Sequence, residues 1–181
     1  MAPPYREEQR FQALWMWFIL GIVAVIPFFG IFQQIFRGIP FGNNPLSDAG
    51  LIVLTLVCIL PLLLFSVTRL RTTIDDESIT VNYFPFLRKQ FNWSDISEAE
   101  VIDYGFVGGW GIRMFTKHGT VYNVAGSKGL KIQLNNGKKY VIGTQQPDEL
   151  KAYLREAGLI DQLDLDELAP ELNKRKEKKR R

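Results

Sequence analysis

Three places in this sequence carry side chains that could do chemistry: His118, the run Asp75-Asp76-Glu77, and the glycine-rich Gly105-Phe106-Val107-Gly108-Gly109-Trp110-Gly111. His118 is the only histidine, so any Ser-His-Asp relay must pass through it. Its neighbours Lys117 and Gly119 mark an exposed hairpin tip, which gives such a relay no support. The only cysteine, Cys58, lies in an apolar run and is expected to be a small filler there. A zinc site built on Cys or paired His is therefore excluded from the polar half. Asp75, Asp76 and Glu77 could attract a divalent cation, but the further ligands that calcium needs are not spaced around them. A solvated turn is the expectation. No catalytic, cofactor-binding or metal-ligating residue is assigned, and the chain is not expected to be an enzyme.

The glycine-rich segment invites a phosphate-loop reading, and its sequel argues against one. A dinucleotide loop opens a helix, whereas Ile112, Met114 and Phe115 continue as a strand, and no G-K-[ST] follows. The expectation is a tight or flexible loop presenting Trp110, either as a buried anchor or displayed to a partner, with burial favoured. Trp110 and Arg113 are the candidate partner contacts. Asn92-Trp93-Ser94 matches a glycosylation acceptor; on a cytoplasmic domain it is a chance match.

The end of the chain is acidic, then strongly basic. Residues 174–181 hold seven basic residues and one acidic, a net of +6, while the whole chain carries +3. Residues 72–160 balance ten basic against ten acidic residues. Lys174, Arg175, Lys176, Lys178, Lys179, Arg180 and Arg181 are candidate contacts for anionic lipid headgroups. A solvated end is the alternative, and contact with nucleic acid is the least favoured.

The elements that must position these residues begin with two uncharged stretches. Ala13 to Phe32 spans 20 residues and Ala49 to Val67 spans 19. As helices each reaches about 30 Å, the thickness of a bilayer's hydrocarbon core. The first shows no polar stripe, unlike the amphipathic helix of a soluble core, and is too long for a signal peptide's apolar segment. Trp15 and Trp17 suit a membrane interface, and Pro27 and Pro61 are tolerated within such spans. The loop from Gly38 to Leu46 is turn-rich, and Ser47 or Asp48 can cap the second helix. Arg6, Arg10, Arg69 and Arg71 flank the pair, against Arg37 alone in the loop, so both ends are expected in the cytoplasm.

After Thr72 the periodicity changes to two. Ile79, Val81 and Tyr83 alternate with polar residues, as do Leu130, Ile132 and Leu134, with Tyr140 and Ile142 beyond. Asn135-Asn136-Gly137 is the strongest hairpin signal. About seven short strands are expected, in an antiparallel sandwich or partly open barrel. Pro147, Asp148 and Glu149 open a helix whose apolar face is Leu150, Tyr153, Leu154 and Ala157, and Gly158 ends it. The expected organisation is an N-terminal cytoplasmic segment 1–10, a transmembrane hairpin 11–69, a β domain 70–160 and a tail 161–181.

The stretch Gly108-Gly109-Trp110-Gly111-Ile112-Arg113, with Tyr122-Asn123-Val124-Ala125-Gly126, Asn136-Gly137-Lys138 and Ile142-Gly143-Thr144 before Pro147-Asp148-Glu149-Leu150, resembles bacterial PH-like domain proteins. The resemblance covers roughly residues 70–158, and the upstream hairpin matches a common arrangement in such proteins. It implies a pleckstrin-homology-like fold of two antiparallel sheets closed by a C-terminal helix, and no particular activity. The expected function is a membrane-anchored, non-enzymatic module for protein interaction or self-assembly at the cytoplasmic face. The alternatives are a module that binds anionic lipid headgroups and an accessory subunit of a membrane enzyme or transporter. Headgroup binding at the first hairpin turn is opposed by Asp75-Asp76-Glu77, and transport by the absence of ionisable residues in the spans.

Overall fold

The computed structural model describes residues 3–159, which divide into two units. The first unit contains strand β1 (Tyr5–Arg10) and residues 69–159; the second is residues 11–68. The basic run 174–181 lies outside the described residues.

The second unit holds two long apolar helices, α1 (Leu14–Ile31) and α2 (Asp48–Val67). A π-helical turn at Phe32–Phe36 prolongs α1, giving an apolar helical stretch of 23 residues, while α2 has 20. Ser47 caps α2 as expected, its hydroxyl accepting from the Gly50 amide at 3.2 Å. Gln34 ties the loop to the α2 start, donating to the Leu46 carbonyl (2.9 Å) and to Asp48 (2.7 Å). Within α1 only Ala24, Pro27 and Gly30 are buried, and within α2 only Leu51 and Thr55. Gly30 admits the Phe41 ring: a Cβ there would stand 2.7 Å from the ring's Cδ1. Most of the other large apolar side chains are exposed, while Trp17, Leu20, Leu62, Leu64 and Phe65 are half-buried.

The first unit is built on two sheets and a helix. Strands β2 (Arg69–Ile74), β3 (Ser78–Phe84) and β4 (Leu87–Asn92) join β1 in an antiparallel sheet of order β1-β2-β3-β4. Strands β5 (Ile96–Asp103), β6 (Gly111–Thr116), β7 (Gly119–Asn123), β8 (Lys128–Leu134) and β9 (Lys139–Gly143) form a second sheet of order β5-β8-β9-β7-β6. No closed barrel forms among the described residues. The β8–β9 hairpin turns at Asn136-Gly137 as expected, with Gly137 at φ 80° and the Leu134 amide donating to the Lys138 carbonyl at 2.9 Å.

Two features depart from the expected pattern. The sheets are mainly rather than wholly antiparallel, because β7 and β9 run parallel. The cause lies in the chain path: β8 crosses to pair with β5, and its hairpin sends β9 back beside β7 in the same direction. The second feature is β1, which falls within the segment set apart from the β domain by sequence. Tyr5, Glu7 and Gln9 point inward and Arg6, Glu8 and Arg10 outward. Two of the three inward residues are polar, so hydrophobic periodicity gives no sign of a strand.

Polar bonds hold β1 in place. The buried Glu7 carboxylate accepts from the Tyr5 hydroxyl (2.8 Å), the Thr144 hydroxyl (2.7 Å) and the Gln145 amide (2.7 Å). Gln9 donates to the Gly143 carbonyl at 2.7 Å. These bonds fasten the first strand to the junction between β9 and α3 (Pro147–Glu156). Between the sheets lie Leu70, Ile74, Ile79, Val81, Leu130, Ile132 and Ile142, all fully buried. Helix α3 adds Leu150 and Leu154 to them, and its Tyr153 hydroxyl donates to the Ile74 carbonyl at 3.1 Å. Gly158, at φ 66°, ends α3 as expected.

Replacing residues 11–68 by a flexible linker should leave a β domain that unfolds cooperatively in urea. Glu7→Ala in that protein should cost about 2 kcal/mol or more, because the buried Tyr5 and Thr144 hydroxyls and the Gln145 amide lose their acceptor. Unchanged stability would contradict the role assigned to β1.

Candidate functional site

The glycine-rich loop between β5 and β6 folds back over the outer face of the second sheet. Gly105, Gly108, Gly109 and Gly111 all have positive φ, from 68° to 120°, a backbone that side-chain-bearing residues rarely adopt. The turns let Tyr104 and Val107 join Ile102 over Val121 and Val141, a small core separate from the one between the sheets. Asn123, fully buried, fastens both ends of the loop. Its Nδ2 donates to the Tyr104 hydroxyl (3.2 Å) and its Oδ1 accepts from the Gly111 amide (3.0 Å).

This frame positions the two residues singled out by sequence. The Arg113 guanidinium donates to the Trp110 carbonyl at 2.9 Å and lies so close to Gly109 that a Cβ there would meet its Nη2 at 2.6 Å. Trp110 is half-buried, between the two expected outcomes. The segment leads into strand β6, not a helix, which agrees with the argument against a phosphate loop.

The same loop and strand carry three exposed residues that sequence did not single out as contacts. Phe106 projects from the loop at 89% exposure; Met114 and Phe115, on β6, are 62% and 98% exposed. β6 is an edge strand, and its register with β7 shifts between Arg113 and Thr116. Phe115 sits in the shift with φ at 61°. A left-handed backbone costs a non-glycine residue about 1–2 kcal/mol. The most exposed aromatic ring of the unit therefore stands on a strained backbone, a combination that points toward use. The adjacent apolar pair Met114-Phe115, breaking strand alternation, is the signal sequence reading could have used.

The other candidates have structural roles. Asp75 makes the β2–β3 turn, its carboxylate accepting from the Glu77 amide (3.0 Å) and the Ser78 amide (2.8 Å). His118 is half-buried in the β6–β7 turn rather than exposed at its tip. Burial, followed by the charge of Lys117, holds its pKa below the ordinary histidine range. Among the described residues no three His, Cys, Asp or Glu side chains gather as metal ligands. On the inner side of β4, the Lys89 ammonium lies 4.3 Å from the centre of the Tyr140 ring and donates to its hydroxyl at 3.2 Å. Burial works to lower the pKa of Lys89, but the contacts with Tyr140 and Tyr122 prevail and hold it above the ordinary lysine value. The surroundings suit a charged ammonium and not a proton-accepting amine.

No family model, curated protein or solved structure matches this chain.

Phe115→Asn should keep the β unit's stability or raise it by up to about 1 kcal/mol, since asparagine tolerates the left-handed backbone and the lost ring is exposed. A drop of similar size in thermal unfolding would show that the ring packs. The buried phenols set a second expectation. Burial pushes Tyr83 from 10.0 up to about 12, against the lowering charge of Arg113, and burial also raises Tyr104 and Tyr122. With folded pKa values above the unfolded ones, this contribution is intact below pH 10 and lost as pH rises through about 12. The Tyr83 phenolate, followed by the NMR signals of its ring, should therefore appear late, together with loss of β structure. A Tyr83 phenolate forming near pH 10 in the folded domain would contradict this.

Proposed function

We propose that the chain is a two-pass protein of the cell membrane, with a PH-like β domain acting as a non-enzymatic interaction module on the cytoplasmic side. The observation that carries the membrane assignment is the outward apolar surface of α1 and α2. Leu14 and Phe18 are 83% and 71% exposed, and they continue through Val25, Phe28, Leu56 and Leu63. So much exposed apolar surface along two long helices is unfavourable in water and matched to lipid. The pairing of Arg10 with Arg69 supports the hairpin, since the chain enters α1 and leaves α2 from neighbouring strands. The excess of flanking arginines over Arg37 supports a cytoplasmic location for both ends.

Two sheets, mainly antiparallel, with a C-terminal helix packed on them support the PH-like assignment. Strand β1 and the parallel β7–β9 pair are additions to the pattern that the resemblance implies. The partner is a protein or a second copy of the chain, received at Trp110, Arg113, Phe106, Met114 and Phe115. Exposed apolar side chains and one arginine, on a loop and the edge strand that follows it, have the composition and backbone edge of a protein-binding surface.

A reporter fused after Arg181 should be cytoplasmic and one inserted between Gly42 and Asn43 external. Photo-crosslinkers replacing Phe106 or Phe115 in native membranes should give adducts, with a second copy or another protein, that one replacing Glu98 does not. An external C-terminal reporter would overturn the topology. Equal labelling at all three positions would overturn the contact surface.

A further inference from the structure

The outward face of the first sheet gathers charge that composition conceals. In register across it, Arg10 stands opposite Arg69, and Glu8 heads a row that continues through Arg71, Asn82 and Arg88. Arg6 lies one outward step farther along β1. Five arginines and one glutamate give this face a net charge of +4 (5 − 1), against +3 for the whole chain. Glu8 cannot neutralise the group. It is shared among Arg71 at 2.6 Å, Arg10 at 2.7 Å and Arg69 at 3.5 Å.

The charge is also graded along the strands. Arg10 and Arg69 mark the end of the sheet from which the chain passes into the helices, and the β3–β4 turn, with Phe84 and Phe86 exposed, is at that same end. Asp75, Asp76 and Glu77 occupy the turn at the opposite end. Only residues 11–13 separate Arg10 from α1, and only Thr68 separates Arg69 from α2. At about 3.5 Å per extended residue, neither arginine can be more than about 14 Å along the chain from a helix end. That bound lets both arginines come within a Debye length, about 8 Å, of the surface, where anionic lipid attracts them.

We propose that this sheet face docks on anionic lipid headgroups of the bilayer that α1 and α2 cross, with Phe84 and Phe86 at the headgroup level. The inference rests on the membrane assignment made above. It transfers headgroup contact from the acidic β2–β3 turn, where repulsion is expected, to a basic face spread over three strands. Such a face reads phosphate charge and not one headgroup structure, because its arginines come from separate strands and not from one loop. It leaves Trp110, Met114 and Phe115, on the other sheet, for the protein partner.

The test uses the full chain carrying Cys58→Ala and Asn82→Cys, in nanodiscs of phosphatidylcholine alone or mixed with phosphatidylglycerol. The rate at which a water-soluble maleimide modifies position 82 is measured, with Glu98→Cys as the control position on the second sheet. Phosphatidylglycerol should slow modification at 82 by about tenfold or more, high salt should restore it, and position 98 should not change. Adding Arg6→Gln, Arg71→Gln and Arg88→Gln should abolish the protection, and the corresponding three lysine substitutions should keep it. The basic tail is present in every form, so its own attraction cancels from the comparison. Equal rates in both lipids, or protection indifferent to salt and to the glutamine substitutions, would overturn the inference. Failure of the chain to enter the discs would instead overturn the membrane assignment, which separates the two.

Discussion

Six residues before the first helix pair one for one with six after the second, from Tyr5 opposite Ile74 to Arg10 opposite Arg69. This pairing constrains the rest of the molecule. It brings the two ends of a 58-residue helical unit onto adjacent strands of one sheet, so the chain returns to the place it left. A slip of one residue would turn Arg6, Glu8 and Arg10 toward the core and Tyr5 toward water. The register is secured by Glu7 and Gln9, whose side chains reach residues 143–145, far along the sequence. Because β1 precedes residues 11–68 and its partner β2 follows them, the strand can pair only after that segment has been made.

The same strand settles the charge pattern. With its inward positions taken by Tyr5, Glu7 and Gln9, β1 presents two arginines and Glu8 outward beside the arginines of β2. Residues that look like simple flanking charges in the sequence become one face of a sheet. The two sheets then divide the work proposed for them: a basic face on the first, and an apolar loop and edge on the second. Neither surface contains a reacting constellation, and the titratable groups outside the helices with marked shifts are explained by burial, hydrogen bonding and neighbouring charge.

Much of the fold was legible in the sequence, because it depends on strong local signals. Length and absence of charge gave the helices, Asn136-Gly137 gave the β8–β9 turn, and the spacing of Leu150, Tyr153 and Leu154 gave α3 with its correct face. What stayed hidden depends on distant partners. β1 was illegible because two of its three inward residues, Glu7 and Gln9, are polar and are satisfied by groups more than 130 positions away. The parallel β7–β9 pair was illegible because alternation reports a strand's faces and not its neighbours. At the candidate site, Trp110 and Arg113 were visible by type, whereas the exposure of Phe115 follows from a register shift that no local pattern announces.

Amide hydrogen exchange on the full chain in nanodiscs, read at residues 5–10, tests this account most directly. It predicts that the β1 amides bonded to β2 are protected to a degree comparable with those of β2 and β3, since all belong to one sheet. Exchange at the rate of an unstructured peptide across residues 5–10 would contradict it, and would separate the N-terminal segment from the domain that it is held to complete.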